Sequence, residues 1–283
     1  IHVTFQVREP DAREVEVVRG LAEDAVARHP EVGEAHLAMA GVRLCVNDPI
    51  GCARSVRAAL RCGPGLVHAH GLVSDLLIDI GRLPDAERHL DIAGALDAHN
   101  MQAALHRTRL RAYQGRWDEY YALLEGELSR VRFRSVASLR AVLWQPEPAP
   151  LRRLARALAD NDDGMPEAPR RDAHELVLFA LGEGDRPAIL DRFAAAYPRT
   201  SRSRHGRVVA QIQCEMACQL GQLGRAAEFL GHADSLALID WHWLDGCPSL
   251  APLRAGAWFQ AIAARVRARA DAVAEAIWDP TGP

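Results

Sequence analysis

Residues 67–97 read VHAHGLVSDLLIDIGRLPDAERHLDIAGALD, and this stretch decides the fold. Apolar side chains recur at Leu72, Leu76 and Ile80, then at Leu83, Ala86, Leu90 and Ala93, which is helical spacing on both sides of Gly81. Gly81 stands where the first helix must stop, because a left-handed cap costs glycine nothing sterically. Small residues at Ala86 and Ala93 let two helix axes approach closely. Pro64 breaks the chain just ahead of the pair. The stretch therefore predicts a helix, a tight turn and a second helix folded back on the first.

The same pattern recurs every 34 residues. Ala35, Ala69 and Ala103 keep that step, as do Ala25, Ala59 and Ala93, and Asn47, Gly81 and Gly115. Cys52 pairs with Ala86, His36 with His70, and Pro30 with Pro64 at the same interval. Several independent registers sharing one period mark a repeat architecture. Residues 11–30 read as the second helix of a unit. Residues 131–160 give a helix ending near Trp144, the turn QPEPAP and the helix LRRLARALAD, and 170–197 give a pair around GEGD with Ala196 and Pro198 in late positions. Cys214, Gly221, Ala226 and Ala233 then recover the register. A final helix, about 256–277, places Phe259, Ile262, Val266, Ala270, Val273 and Ile277 on one face and is expected to cap the array, because the last unit of a solenoid needs a polar side. No strand-like alternation of any length occurs.

These residues resemble the tetratricopeptide repeat, a 34-residue helix-turn-helix unit with small residues at its eighth, twentieth and twenty-seventh positions, glycine near the fifteenth and proline at the thirty-second. Residues 33–66 and 67–100 fit that register, and 101–128 fit it more loosely, with Tyr120 where alanine is expected. The resemblance implies an all-α, right-handed superhelical solenoid of about six units. Its expected organisation is tetratricopeptide units over 1–130, degenerate units over 131–236, and a junction with a capping helix over 237–283. It also implies a concave groove lined by first helices that receives a peptide or partner helix. The groove positions map onto Glu34, Leu37, Gly41, Leu44 and Cys45, onto His68, Gly71, Asp75, Ile78 and Asp79, and onto Gln102, Leu105, Arg109, Ala112 and Tyr113. Of these, His68, Asp75, Ile78, Asp79, Gln102, Arg109 and Tyr113 are the candidate partner-binding residues. The lysines and asparagines with which some family members clamp a C-terminal carboxylate are absent there.

A second resemblance lies in the tail, from RVVAQIQCEMACQLG through LALIDWHWLDGCPSLAPLRAGAWFQAIAARVRARA. It looks like the C-terminal end of repeat regions attached to bacterial, especially myxobacterial, serine/threonine protein kinases and related regulators. That implies a regulatory or sensor segment of a signalling protein. The first residue, Ile1, and the lack of a catalytic motif fit a piece excised from a longer chain.

Composition narrows the chemistry. With 283 residues, 49% apolar and 25% charged, and a net charge of -3, nothing pulls the chain globally towards nucleic acid. All 34 basic residues are arginine, so a P-loop lysine and a kinase ATP-anchoring lysine are ruled out within the segment. The six cysteines form no CxxC pairs and no secretory signal precedes them, which predicts reduced thiols in a cytoplasmic protein. No apolar run approaches the roughly 20 residues of a membrane span.

Three clusters remain. ADNDDG (159–164) fails calcium-loop spacing and reads as a helix-ending turn. PRTSRSRHGR (198–207) gathers Arg199, Arg202, Arg204 and Arg207, a candidate anion-binding set at a helix start. No basic stripe with interleaved aromatics continues it, which argues against nucleic acid. LIDWHWLDGCPSLAPLR (238–254) holds Asp240, His242, Asp245 and Cys247 between tryptophans, and reads as packing at the array's end, with Trp241 and Leu244 set on the preceding pair. The expectation is a non-catalytic, protein-binding scaffold without metal or cofactor. The alternative is a helical enzyme or a small-ligand or metal-binding protein using the His, Asp and Cys groups.

Overall fold

The structure is a computed structural model that describes residues 11–129, 139–145, 147–162, 164–197 and 203–278. Among the described residues the protein is all-helical, with no strand. Its helices are α1 (Ala12–Arg28), α2 (Gly33–Cys45), α3 (Pro49–Cys62), α4 (Val67–Asp79), α5 (Leu83–Leu96), α6 (Met101–Tyr113) and α7 (Trp117–Glu125). They continue as α8 (Pro148–Asp160), α9 (Glu167–Leu181), α10 (Arg186–Ala196), α11 (Arg204–Gln219), α12 (Leu223–Ser235), α13 (Trp241–Gly246) and α14 (Ala257–Trp278). Short 3₁₀ segments occupy Val142–Trp144 and Pro248–Leu253. No described helix is long and apolar enough to cross a membrane.

The local signals of the 34-residue period act as their chemistry requires. Asn47, Gly81, Gly115 and Gly221 all take positive φ, at 58°, 81°, 70° and 71°, so each ends the first helix of a pair in the left-handed region. Ala35, Ala69 and Ala103 are buried, and Cys52, Ala59, Ala86, Ala93, Cys214, Ala226 and Ala233 have no exposed surface. The helices joined at these four turns consequently pack as hairpins, α2 on α3, α4 on α5, α6 on α7 and α11 on α12, and α8 packs on α9 across the register, with Asn161 at φ 59° ending α8. His36 Nε2 donates to the Pro30 carbonyl at 2.7 Å, and His70 Nε2 donates to that of Pro64 at 2.9 Å, so equivalent histidines tie equivalent inter-unit turns. Tyr120 takes the small-residue position of the third pair and is nonetheless fully buried, packed with Ala112, Ala141 and neighbouring aromatics. Ala196, read as a late position of its unit, is exposed.

Two apolar cores result. One joins Ala40 to Tyr113, and the other joins Val142 to Val266. Helix α14 belongs to both. Phe259, Ile262, Ala263 and Val266 complete the C-terminal core, and Ala270, Val273, Ala276 and Ile277 complete the N-terminal one. It packs directly on α3 and touches α4, α12 and α13. The expected end cap is thus a strut that runs back to the third and fourth helices. The physical reason is that its apolar face spans its whole length, so both halves need burial. The tryptophan with no exposed surface in the junction is Trp243, while Trp241 is half-buried against Gly81 and under the Arg267 guanidinium, 5.1 Å from its ring centre.

Candidate binding site

Closure brings first helices from both halves around one central cavity of about 810 Å³. Helices α2, α4, α6, α9 and α11 supply most of its wall. Apolar side chains Leu37, Leu72, Leu105, Met165, Leu176 and Ile212 line much of it. Glu34, Ala38, His68 and Met101 are the solvent-exposed members of the lining.

One side of the cavity is an ionic cluster. Asp75 and Asp79 lie one turn apart on α4, and Arg109 lies on α6, 34 residues after Asp75 and so at the same place in the next unit. Arg109 donates from Nη1 to Asp75 Oδ1 at 3.0 Å, and also to Asp79 and, at 3.3 Å, to Asp240 Oδ2. From α11, Arg204 Nη2 reaches Asp75 Oδ2 at 2.5 Å and Asp79 at 3.7 Å, and Arg207 lies 3.9 Å from Asp79. Arg140 donates to Asp240 at 3.1 Å and to Glu215 at 3.2 Å, and Gln211 donates to Asp240 at 3.2 Å. Behind the cavity wall, the indole N–H groups of Trp144 and Trp243 complete the shell of Glu215 at 2.9 and 2.6 Å. Asp240 also caps α13 by accepting the Trp243 amide at 3.0 Å.

Charge state follows from burial set against these partners. Burial raises Asp79 and Glu215 above the ordinary carboxylate range. Burial also acts on Asp240, but Arg109 and Arg140 outweigh it and hold that carboxyl low. Burial opposes the charge of Arg109, Arg140 and Arg204, yet the carboxylates around them keep all three above the usual guanidinium value. Arg207 is the exception: burial lowers it to about 10, because its nearest carboxylate is distant.

The two candidate sets from the sequence therefore meet. His68, Asp75, Asp79, Gln102 and Arg109 of the groove set line the same cavity as Arg204 and Arg207 of the anion set. Arg199 and Arg202 lie outside the described residues. Ile78 and Tyr113, expected to face a groove, are buried in the N-terminal core instead. The cause is closure: Tyr113 stacks on Trp144 and His242, with ring centres 4.9 Å away in each case, so the chain's own C-terminal half covers the far end of the groove. His242 also meets the Tyr113 carbonyl at 3.3 Å.

Gln211, Glu215, Arg140 and His106, the last 3.5 Å from Asp75, did not stand out in the sequence, although they complete the cluster, and Asp240 was read there as junction packing. The repeat register contained a signal for two of them. With Cys214 at the eighth position, Gln211 takes the fifth, the equivalent of Leu37 and Leu105, and Glu215 takes the ninth, the equivalent of Asp75 and Arg109. A charged residue inside the apolar run VVAQIQCEMACQ was the visible anomaly. Among the described residues no group of three or more His, Cys, Asp or Glu side chains is arranged to hold a metal ion. The buried thiols of Cys52 and Cys247 are pushed up by desolvation, which suits packing rather than nucleophilic chemistry. No protein-family model matches the chain, and no curated protein matches it.

Proposed function

We propose that the chain is a tetratricopeptide-like helical-repeat module, non-catalytic and regulatory, that holds a polypeptide segment of a partner protein in its central cavity. The observation that carries the reading is the cavity's frame. Its lining falls on repeat-equivalent first-helix positions: Glu34, His68 and Gln102; Leu37, Leu105 and Gln211; Gly41, Asp75 and Arg109. A surface repeated by the architecture, apolar on most sides and charged on one, suits a chain segment with apolar side chains and a polar anchor. On this reading the solenoid is a right-handed superhelix of about six units whose last helix returns to the second unit. The tail sequence LIDWHWLDGCPSLAPLR supports a place in a bacterial, cytoplasmic signalling protein, by its resemblance to repeat regions of kinases and regulators.

Gly41 offers a test that spares the fold. It lines the cavity, and a Cβ added there meets no neighbouring atom within 4 Å. Peptides selected from a random display library against the wild-type protein should bind Gly41→Trp about tenfold or more weaker, at unchanged helical content. A library without binders, or peptides indifferent to the substitution, would sink the reading. A second reading, a small-molecule-binding protein, is favoured by the cavity's volume, which falls in the roughly 300–1,000 Å³ range of small-ligand sites.

A further inference from the structure

The cavity holds more hydrogen-bond donors than acceptors. Both oxygens of Asp75 and both of Asp240 are occupied by guanidinium, amide or backbone donors, and Asp79 accepts from Arg109 and faces two further arginines. The donors are not matched in return. Among the described residues the Arg207 side chain, only 2% exposed, makes one hydrogen bond, from Nη1 to the Ala237 carbonyl at 3.1 Å, and stands 3.9 Å from its nearest carboxylate oxygen. Among the described residues Arg204 engages its carboxylates through Nη2 alone, and its buried Nε finds no acceptor. Gln102 Nε2 and Arg109 Nε, also buried, have no acceptor among the described residues. Leaving buried donors unsatisfied is costly, so a bound group that supplies acceptors here gains more than it would at a surface.

Resting on the binding-cavity reading above, we propose that the cavity recognises a compact amphiphilic monoanion: a carboxylate seated on Arg204 and Arg207, with an apolar body along Leu72, Leu105, Leu176 and Ile212. A planar carboxylate matches the forked donors of a guanidinium. A dianion such as phosphate is disfavoured because Asp75 and Asp79 already lie 2.5 to 3.9 Å from these two arginines. The carboxylate has two sources, a free acid or an acidic side chain on an apolar peptide.

The experiment is calorimetric titration of the whole chain with decanoate, decanol and decyltrimethylammonium below their micelle concentrations. A second arm uses the end-blocked pentapeptide Leu-Leu-Glu-Leu-Leu and its Gln counterpart. In at least one arm the carboxylate should bind about tenfold or more tighter than its neutral analogue, and the cation weakest. Arg207→Met should erase that preference, and Gly41→Trp should remove the binding. Arg204→Gln, at a less buried position, provides the same comparison if the Arg207 variant does not fold, and the wild-type comparison decides without either. Preference for decanoate alone identifies a free acid and supports the inference while ending the peptide reading. Preference for the Glu peptide alone supports both. Ligands that bind, are blocked by Gly41→Trp and ignore charge would overturn the inference and leave the cavity reading standing. No binding in either arm overturns the inference, and the peptide-library selection then judges the cavity reading separately.

Discussion

Two seams join the halves of the molecule, and they are built from opposite materials. The apolar seam runs along α14, where Val266 and Val273 have no exposed surface and Ile262 and Ile277 flank them in the two cores. The ionic seam gathers Asp75, Asp79 and Arg109 from the first half with Arg140, Arg204, Arg207, Glu215 and Asp240 from the second. Burying aliphatic side chains stabilises closure outright. Burying charges costs desolvation that their mutual attraction only roughly offsets, so the ionic seam adds geometry rather than net stability. The difference suggests a division of labour: the strut holds the halves together, and the charges give the cavity a polar anchor at a fixed place.

The most severe way to break the comparison is a charge in the apolar seam. Val273→Asp should cost more than about 4 kcal/mol and leave the chain unfolded or open by circular dichroism and scattering. A cooperative melt near the wild-type temperature would show that α14 is not a strut. Next comes Arg109→Met, which leaves Asp79 without a close partner, takes one partner from Asp75 and Asp240, and should cost about 3–5 kcal/mol in urea unfolding. Replacing Asp79 and Arg109 together by Leu and Met should recover most of that loss, since Arg204 still pairs with Asp75 and Arg140 still pairs with Asp240. Failure to recover would mean that the ionic seam contributes net stability.

Ile277→Ala tests the strut more gently. A loss of about 2–4 kcal/mol is expected, and a smaller one would mean that the end of α14 frays from the first core. Gly81→Ala puts a side chain at φ 81° facing Trp241 Cδ1 at 3.4 Å, and should lower stability by about 1–2 kcal/mol.

The smallest effect near neutral pH is a pH dependence seated in the first half. His89 Nδ1 meets His70 Nδ1 at 3.0 Å, and burial, His70 and Arg88 together lower its pKa to about 4. Below pH 6.5 the unfolded chain takes up this proton and the folded chain does not, so stability should be full above pH 6.5 and fall steadily towards pH 4. His89→Gln should flatten part of that slope in thermal melts recorded across the window. An unchanged slope would place the titration elsewhere, with His242, which burial also lowers, the next group to test.

Much of the architecture was legible because its determinants are local. A left-handed residue at Asn47, Gly81, Gly115 and Gly221, and small residues where two helices cross, are demands made within one hairpin, and a 34-residue period repeats them visibly. The candidate residues were legible in part for the same reason: Asp75, Asp79, Gln102 and Arg109 follow from counting positions. Tyr113 and Ile78 were misassigned because the count identifies the face of a helix and not what lies over it. Asp240 was set aside as junction packing, since nothing local distinguishes an N-cap that also accepts Arg109 and Arg140 from one that does not.

By itself the sequence determined helices, turns and the pairing of neighbours, because those depend on contacts a few residues apart. Only the tertiary structure decided that the array closes, that α14 reaches back to α3, and that arginines from residues 204 and 207 complete a site begun at residue 75. Those contacts join residues more than a hundred positions apart, and they depend on the summed rotation from unit to unit, which no single repeat encodes.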